Sequence, residues 1–505
     1  MKTRTHLSVS AIVAALLCAN AARADVTAEQ VWQDWKDYYA QLGQTVSVGA
    51  EAMEGDTLVA RDVKFTSEAT EATTEGTISE VRLQEMGDGT VEITLPKEIP
   101  VVIHSKPAEG TPSDVTMLLT NSDLKIVASG TPESMDFDLT SAELGMSMDE
   151  AKVEGETAPV KIQITATGNK GKYHTEKGVT RILNSEITSD TVTFAAAGAD
   201  PESGSTFNMT GTINGVGGTG TMAMPTDAST KDMNAAMQAG MTIAGDFLYT
   251  DGAYKIEGTG SDGDFVAEST GGAGKLNFSM SKDGLSYGGE AADSNVTLTS
   301  PSIPFPIEVA LAQTAFNLAM PVSKSDAPKP AELLLKIVDL KVSDGLWNMV
   351  DPGEQLPRDP ATLVIDLSGA IRPLIDLFDP KQTEELAAGS DPAAATPPAP
   401  FEVSEAKINQ LQLKAVGAEL TGTGAMTFDN SATPPKPLGA IDLNLTGANA
   451  LMDKLVAMGL LPEDQVMGAR MMLGMFTVPA GEDAVTSKIE FKEDGGIYAN
   501  GQRIQ

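Results

Sequence analysis

The sequence predicts a mainly β protein: a long antiparallel meander forming a curved sheet that is apolar on one face, as a sandwich or a groove, with a few short α-helices. Two observations carry this. Between Met241 and Thr299 glycine turns recur at Asp251-Gly252, Asp262-Gly263, Gly271-Gly272 and Asp283-Gly284, and the segments between them alternate apolar and polar, as hairpin-connected strands do. The alternation also sorts by face. Ile243, Phe247, Tyr249, Tyr254, Ile256, Phe265, Leu276, Phe278, Met280, Leu285 and Tyr287 fall on one side. Asp246, Lys255, Glu257, Glu268, Lys275, Asn277 and Ser286 fall on the other. That is a sheet with one wet and one greasy face, and at roughly 25 cal/mol per Å² the greasy one demands a cover or a ligand.

The first element is a leader. Lys2 and Arg4 precede the apolar run Val9 to Leu17, and Ala22-Arg23-Ala24 supplies the small residues of a cleavage site before Asp25. Residues 1–24 therefore read as a cleaved signal peptide, and the expected location is the periplasm. Cys18 is the one cysteine, and Leu17 stands where a lipid-attachment motif wants Gly, Ala or Ser, so a cleaved signal is favoured over a lipid anchor. Without Cys18 the chain can form no disulfide. No later stretch is apolar enough over about 18 residues to be a membrane-spanning helix.

The chain carries 70 acidic against 35 basic residues, a formal charge of −35. Loss of Lys2, Arg4 and Arg23 makes it more acidic still. Such a surface repels phosphate backbones and excludes nucleic acid as a partner. No calcium loop of EF-hand type accompanies the acidity.

Thr27-Ala28-Glu29-Gln30 is a capping box. The helix it opens carries Trp32, Trp35, Tyr39 and Leu42 at helical spacing and stops at Gly43, with Glu29, Asp34 and Asp37 assigned to its polar face. Its acidity argues against a membrane anchor and for a helix packed over the end or mouth of a sheet. Strands follow: Leu58/Ala60 to Val63/Phe65, Val81/Leu83 against Val91/Ile93/Leu95, Leu124/Ile126 against Met135/Phe137/Leu139, and Val160/Ile162/Ile164. Ser229 to Gln238 reads as a short helix with Met233 and Met237 inward. After Pro301 come strands at Leu333–Val342 and Leu363–Leu367, then an Ala/Pro segment, Ala387–Pro400, that reads as a linker or loop. Helices at about Ala448–Met458 and Pro462–Met475 precede a terminal hairpin, Ile489–Lys492 with Ile497–Ala499. The organisation expected is an N-terminal helix plus β-meander region over 25–300 and a C-terminal β region with two helices over 301–505.

The catalytic motifs fail on context. Gly284-Leu285-Ser286-Tyr287-Gly288 spells a nucleophile elbow, but it sits just past a hairpin turn, and His104 and His174 both lie upstream. Gly215-Val216-Gly217-Gly218-Thr219-Gly220 spells a dinucleotide fingerprint, but no helix opens there, so it reads as a glycine turn between strands. The two histidines beyond the leader, His104 and His174, give no zinc spacing. Met233, Met237 and Met241, and Met471, Met472 and Met475, read as core filler rather than Cu(I) ligands. No catalytic residue, cofactor or metal is expected.

Three segments resemble the bacterial domain of unknown function family 2125: Val26–Gln44, Leu333–Gly369 with its Trp347 and Leu356-Pro357-Arg358-Asp359-Pro360, and Leu451–Phe476. That resemblance implies no catalytic motif. Phe491–Gln502 is similar in style to the end of AsmA-like envelope proteins, a class associated with lipid handling on a β-sheet groove. The expected function is non-catalytic: binding or chaperoning an apolar envelope ligand, plausibly lipid, through Phe247, Tyr254, Ile256, Phe278 and Tyr287. The alternative is a structural or assembly protein acting on envelope protein partners. A hydrolase stands third, for want of histidine and cysteine.

Overall fold

The computed structural model describes residues 25–505 except 69–71, 106–110, 154–155, 201–202, 229–232, 261–262, 380, 385–398 and 433. The expected signal peptide and most of the Ala387–Pro400 segment lie outside the described residues. Strand outweighs helix 65% to 12%, so the mainly β expectation is met. All described strands join one antiparallel sheet, and the pairing of Gly284–Thr299 with Ile307–Met320 carries it across position 300.

The five strands expected between Met241 and Thr299 occur, as Thr242–Tyr249, Asp251–Gly260, Gly263–Gly271, Gly274–Ser281 and Gly284–Thr299. Their connections differ from the expectation. Thr242–Tyr249 and Asp251–Gly260 lie end to end against the one strand Thr206–Pro225. Gly263–Gly271 and Gly274–Ser281 both pair with Gly284–Thr299. Only Gly260↔Gly263 and Ser281↔Gly284 close hairpins. Asp251-Gly252 and Gly271-Gly272 flank interruptions inside long strands, because residues that suit a turn also suit a break in a ladder.

Such interruptions line up across the sheet. Asp62, Asp123, Gly168, Gly215, Asp293 and Asp339 all have φ between 50° and 65°, the left-handed region that Gly and Asp tolerate best. Pairing resumes in unchanged register at Val48↔Val63 then Ala50↔Arg61, Ser189↔Val216 then Thr191↔Asn214, and Ala292↔Gln313 then Ser294↔Leu311; at Asp339 it is kept against Ile307–Met320 but shifts by one residue against Ala361–Pro373. This seam divides the sheet into two halves. Polar side chains satisfy the backbone there: the Asn169 amide donates to the Ala166 carbonyl at 2.8 Å, the Ser189 hydroxyl to Asn169 Oδ1 at 2.7 Å, and the Ser141 hydroxyl to the Ser122 carbonyl at 2.8 Å. The Gly215–Gly220 run is part of the strand Thr206–Pro225, not a turn between strands. Glycines inside a strand mark close approach of something else.

The main core lies under the N-terminal helix, Ala28–Gln41, which begins on the expected capping box. Val31 and Trp32 are buried against Leu58, Val63, Val81, Leu83, Ile93 and Ala128. Trp32 Nε1 donates to Glu51 Oε2 at 2.8 Å. Asp34 is not on the polar face. It follows Val31 by three residues and precedes Tyr38 by four, which places it on the buried stripe. There it is 2% exposed, and Arg181 and Lys177 lie 2.8 and 2.9 Å from its Oδ1. No well-directed hydrogen bond reaches that oxygen, so the attraction is ionic. A second core gathers Met224, Met237 and Met241 around the helix Met233–Gln238, as the sequence predicts. Met471, Met472 and Met475, expected in a core, are exposed instead on the helix Glu463–Phe476. Its one buried residue is Val466, so the helix leans on the sheet by a narrow edge.

Candidate functional site

Directly paired residues of neighbouring antiparallel strands share a face, so the register can be followed across the sheet. Beginning under the N-terminal helix, one row reads Leu58, Leu83, Ile93, Ile126, Leu139, Gly171, Ile187, Gly218 and Phe247. It continues through Leu276, Gly289, Phe316, Leu335, Ile365, Leu411, Gly422 and Leu443. Every member is apolar or glycine. The neighbouring row carries Phe278, Tyr287, Leu318, Leu333, Leu367 and Ile408. At the ~4.8 Å spacing of strands, the stretch from Leu139 to Leu443 measures roughly 60 Å along the sheet.

Among the described residues no second layer covers the middle of this track. Phe247 is 36% exposed, Leu276 38%, Tyr287 45%, Phe316 36%, Leu333 45% and Leu335 39%. Tyr287 and Phe316 meet at 5.1 Å between ring centroids. On the opposite face charges pair across strands, as Lys275 does with Asp246 at 3.5 Å.

Helices close both ends. At the C-terminal end Leu473 and Phe476 stand over Leu420, Leu443, Leu445, Val485 and Ile489 and enclose about 340 Å³ of almost wholly apolar space. At the N-terminal end the helix Ala28–Gln41 covers another cavity of about 340 Å³, walled by Trp35, Tyr38, Tyr39, Phe137, Tyr173 and Ile187. Burial pushes the Tyr173, Tyr38 and Tyr39 phenols up from their ordinary range, and the Tyr38 and Tyr173 rings lie 6.4 Å apart between centroids. Arg181 stacks 5.9 Å from the Tyr38 ring.

Of the five residues singled out from sequence, the structure brings three together. Phe278 and Tyr287 are paired, and Phe247 lies in the adjoining row. Tyr254 and Ile256 lie across the seam, against Gly211 and Met209. Sequence reasoning missed the continuation of the track into Phe316, Leu333, Leu335 and Leu411. The signal was there: Leu333–Val342 reads as strongly apolar because one of its faces is this track. Ser286 pairs with Ser279 and Ala319 inside a sheet, which is not an elbow. His104 and His174 each meet the aspartate paired with them in register, Asp114 and Asp136, at 2.8 Å. Among the described residues no group of His, Cys, Asp or Glu is arranged to hold a metal.

The Trp347 segment builds a loop. Asp351 accepts the backbone N–H groups of Gln355 and Leu356 at 3.0 and 2.7 Å, which hold its carboxyl below the usual range. Arg358 ties back to Asp344 and Asn348 on the short helix Asp344–Val350. No curated protein matches the chain. A family model described as an uncharacterized protein conserved in bacteria matches residues 233–504, a span that holds the Trp347 segment, the C-terminal helices and the open track, and the chain belongs to that family, DUF2125.

Proposed function

We propose that this is an exported, non-catalytic protein of the bacterial envelope that binds the hydrocarbon chains of lipids along the apolar track. The observation that carries the reading is the open middle of the track: a contiguous row of aromatic and aliphatic side chains that the described residues leave exposed. Large exposed apolar patches mark binding surfaces rather than idle surface. Its length supports a lipid over a compact ligand. Roughly 60 Å is about twice the ~30 Å of a bilayer's hydrocarbon core, so chains lie along the track end to end. The leader read in residues 1–24 and the similarity of Phe491–Gln502 to AsmA-like proteins point the same way.

Native mass spectrometry of the protein purified from periplasm without detergent, followed by lipid extraction, tests this. A stoichiometric phospholipid or fatty-acid adduct is expected. A clean apo mass overturns the reading and favours an assembly protein. One observation supports that second reading: Met467, Met471, Met472 and Met475 on the helix Glu463–Phe476 are 53–72% exposed, and methionine-rich surfaces suit adaptable protein contacts.

A further inference from the structure

The cavity beneath the N-terminal helix is an aromatic-walled space that adjoins the track. We propose that it is the terminal seat of the track and takes the methyl end of one acyl chain of a phospholipid. This rests on the lipid-binding reading above and adds the direction in which the ligand lies.

Size comes first. About 340 Å³ is at the small end of the range for ligand cavities, so it admits the end of a chain and not a whole lipid. The wall chemistry selects which end. Trp35, Tyr38, Tyr39, Phe137 and Tyr173 present ring surface. Asp34 is engaged by Arg181 and Lys177. Lys172 and Glu186, which also border the space, are register partners, one residue along from Gly171 and Ile187 and so on the opposite face of the sheet. Most of the wall is ring and aliphatic surface, against which hydrocarbon gains by leaving water, whereas a charged phosphate would give up its hydration for it.

The way in is equally specific. Ile187 is both a wall of the cavity and, 48% exposed, the first open member of the track. Its neighbours in the row, Gly171 and Gly218, carry no side chain. Neither has a left-handed backbone. A Cβ on Gly218 would meet Asp246 O and Ile187 Cγ2 at an ordinary 3.5 Å, and one on Gly171 would meet Leu139 Cβ at 3.5 Å. The fold itself does not need glycine at either place. A bare strand floor between the cavity and Phe247 leaves room for a chain to pass.

The test uses the chain's own fluorophores. Trp32 and Trp35 stand 6.4 Å apart on this helix, and Trp347 is the third tryptophan. Trp347→Phe protein is titrated with phosphatidylcholine brominated near the methyl end of an acyl chain, and separately with lipid brominated near the headgroup. The expected result is that methyl-end bromine quenches at least half of the emission, and headgroup-end bromine much less. Stronger quenching by the headgroup-end probe overturns the orientation. No quenching by either probe, with a lipid adduct still present in native mass spectra, overturns the seat but leaves the lipid-binding reading standing. Absence of both adduct and quenching removes that reading itself. Gly218→Leu, which the strand accommodates, is expected to keep the melting temperature and weaken methyl-end quenching tenfold or more. Unchanged quenching in Gly218→Leu overturns the path across the glycine floor.

Discussion

Two stretches of the same apolar row meet opposite fates. Under the N-terminal helix, Leu58, Leu83 and Ile93 are at most 2% exposed, while Phe247, Phe316 and Leu335 further along are 36–39% exposed. Both stretches alternate apolar with polar in the same way, and they are joined by direct register. The difference is a lid: fourteen residues of helix with two tryptophans convert a sheet face into a core. Full burial of such side chains contributes about 1.5–3 kcal/mol each, which the covered stretch collects and the open one forgoes in part. An open stretch of this length is tolerable for stability because the covered one, the methionine core and the backbone ladder carry the fold.

The comparison breaks most sharply at Trp32. Trp32→Ala is expected to cost about 3–5 kcal/mol, the range for emptying a large buried site, whereas Leu335→Ala costs under about 1 kcal/mol because its side chain is already partly solvated. Urea midpoints of the two variants measure this. Equal losses would mean that the open stretch is covered in solution. Asp34 sharpens the same contrast. Asp34→Ala leaves Arg181, 5% exposed, without its counter-charge, and removing one partner of a buried pair costs about 3–5 kcal/mol. The double variant Asp34→Ala/Arg181→Met is expected to recover most of that. Failure to recover would show that the pair does more than neutralise itself.

How much of this was legible in the sequence follows from the range of each interaction. The capping box, the glycine stop at Gly43, the pairings of the Val81/Leu83 strand with Val91/Ile93 and of the Leu124/Ile126 stretch with Met135/Phe137/Leu139 and both C-terminal helices depend on neighbours a few residues away, and all were readable. The role of Asp251-Gly252 was not, because a break within a long strand and a hairpin use the same residues and only the partner strand Thr206–Pro225 distinguishes them. Asp34 was readable by helical spacing but was assigned by its charge. Its partners at positions 177 and 181 lie on a strand end that local pattern does not place. The site was legible as a face and illegible as an extent: alternation marks Phe247, Phe278 and Tyr287, while the row that joins them to Leu335 exists only through register. The exposure of Met471, Met472 and Met475 shows the limit of the moment argument, since spacing defines a face and says nothing of whether it is covered.

Two smaller effects follow. Leu333→Ser/Leu335→Ser is expected to shift the urea midpoint by no more than about 1–2 kcal/mol in stability while abolishing the lipid adduct; retained adduct would move the binding surface elsewhere. Under dilute peroxide, Met467 and Met471, 72% and 70% exposed, are expected to reach the sulfoxide well before Met224, Met237 and Met241, which are at most 1% exposed. Peptide mapping reads this directly, and comparable rates would show that the second core opens readily.

The smallest expected effect concerns the helix Ala448–Ala457, which stands at the far end of the track from Trp32. Its first residue is preceded by Gly447, which has no side chain to cap with. Asp483, on the turn after the next helix, does it from a distance, accepting the backbone N–H groups of Asn449 and Ala450 at 3.0 Å each. Burial pushes the Asp483 carboxyl up, but these bonds, with the Asn449 amide and Arg470, outweigh it and leave the group below its ordinary value. A depressed carboxyl stabilises the fold above its unfolded pKa of ~3.9 and loses that contribution as pH falls through the folded value. Asp483→Asn is therefore expected to cost at most about 1 kcal/mol at neutral pH, given how exposed the group is. The gap from the parent should close as the pH drops below about 4. A gap that persists in acid would mean that the carboxylate's charge is not what holds this helix start, and that the amide serves poorly for reasons of shape. A lid held by a distant residue would then differ less from the Trp32 helix, with its own capping box, than the hydrogen bonds suggest.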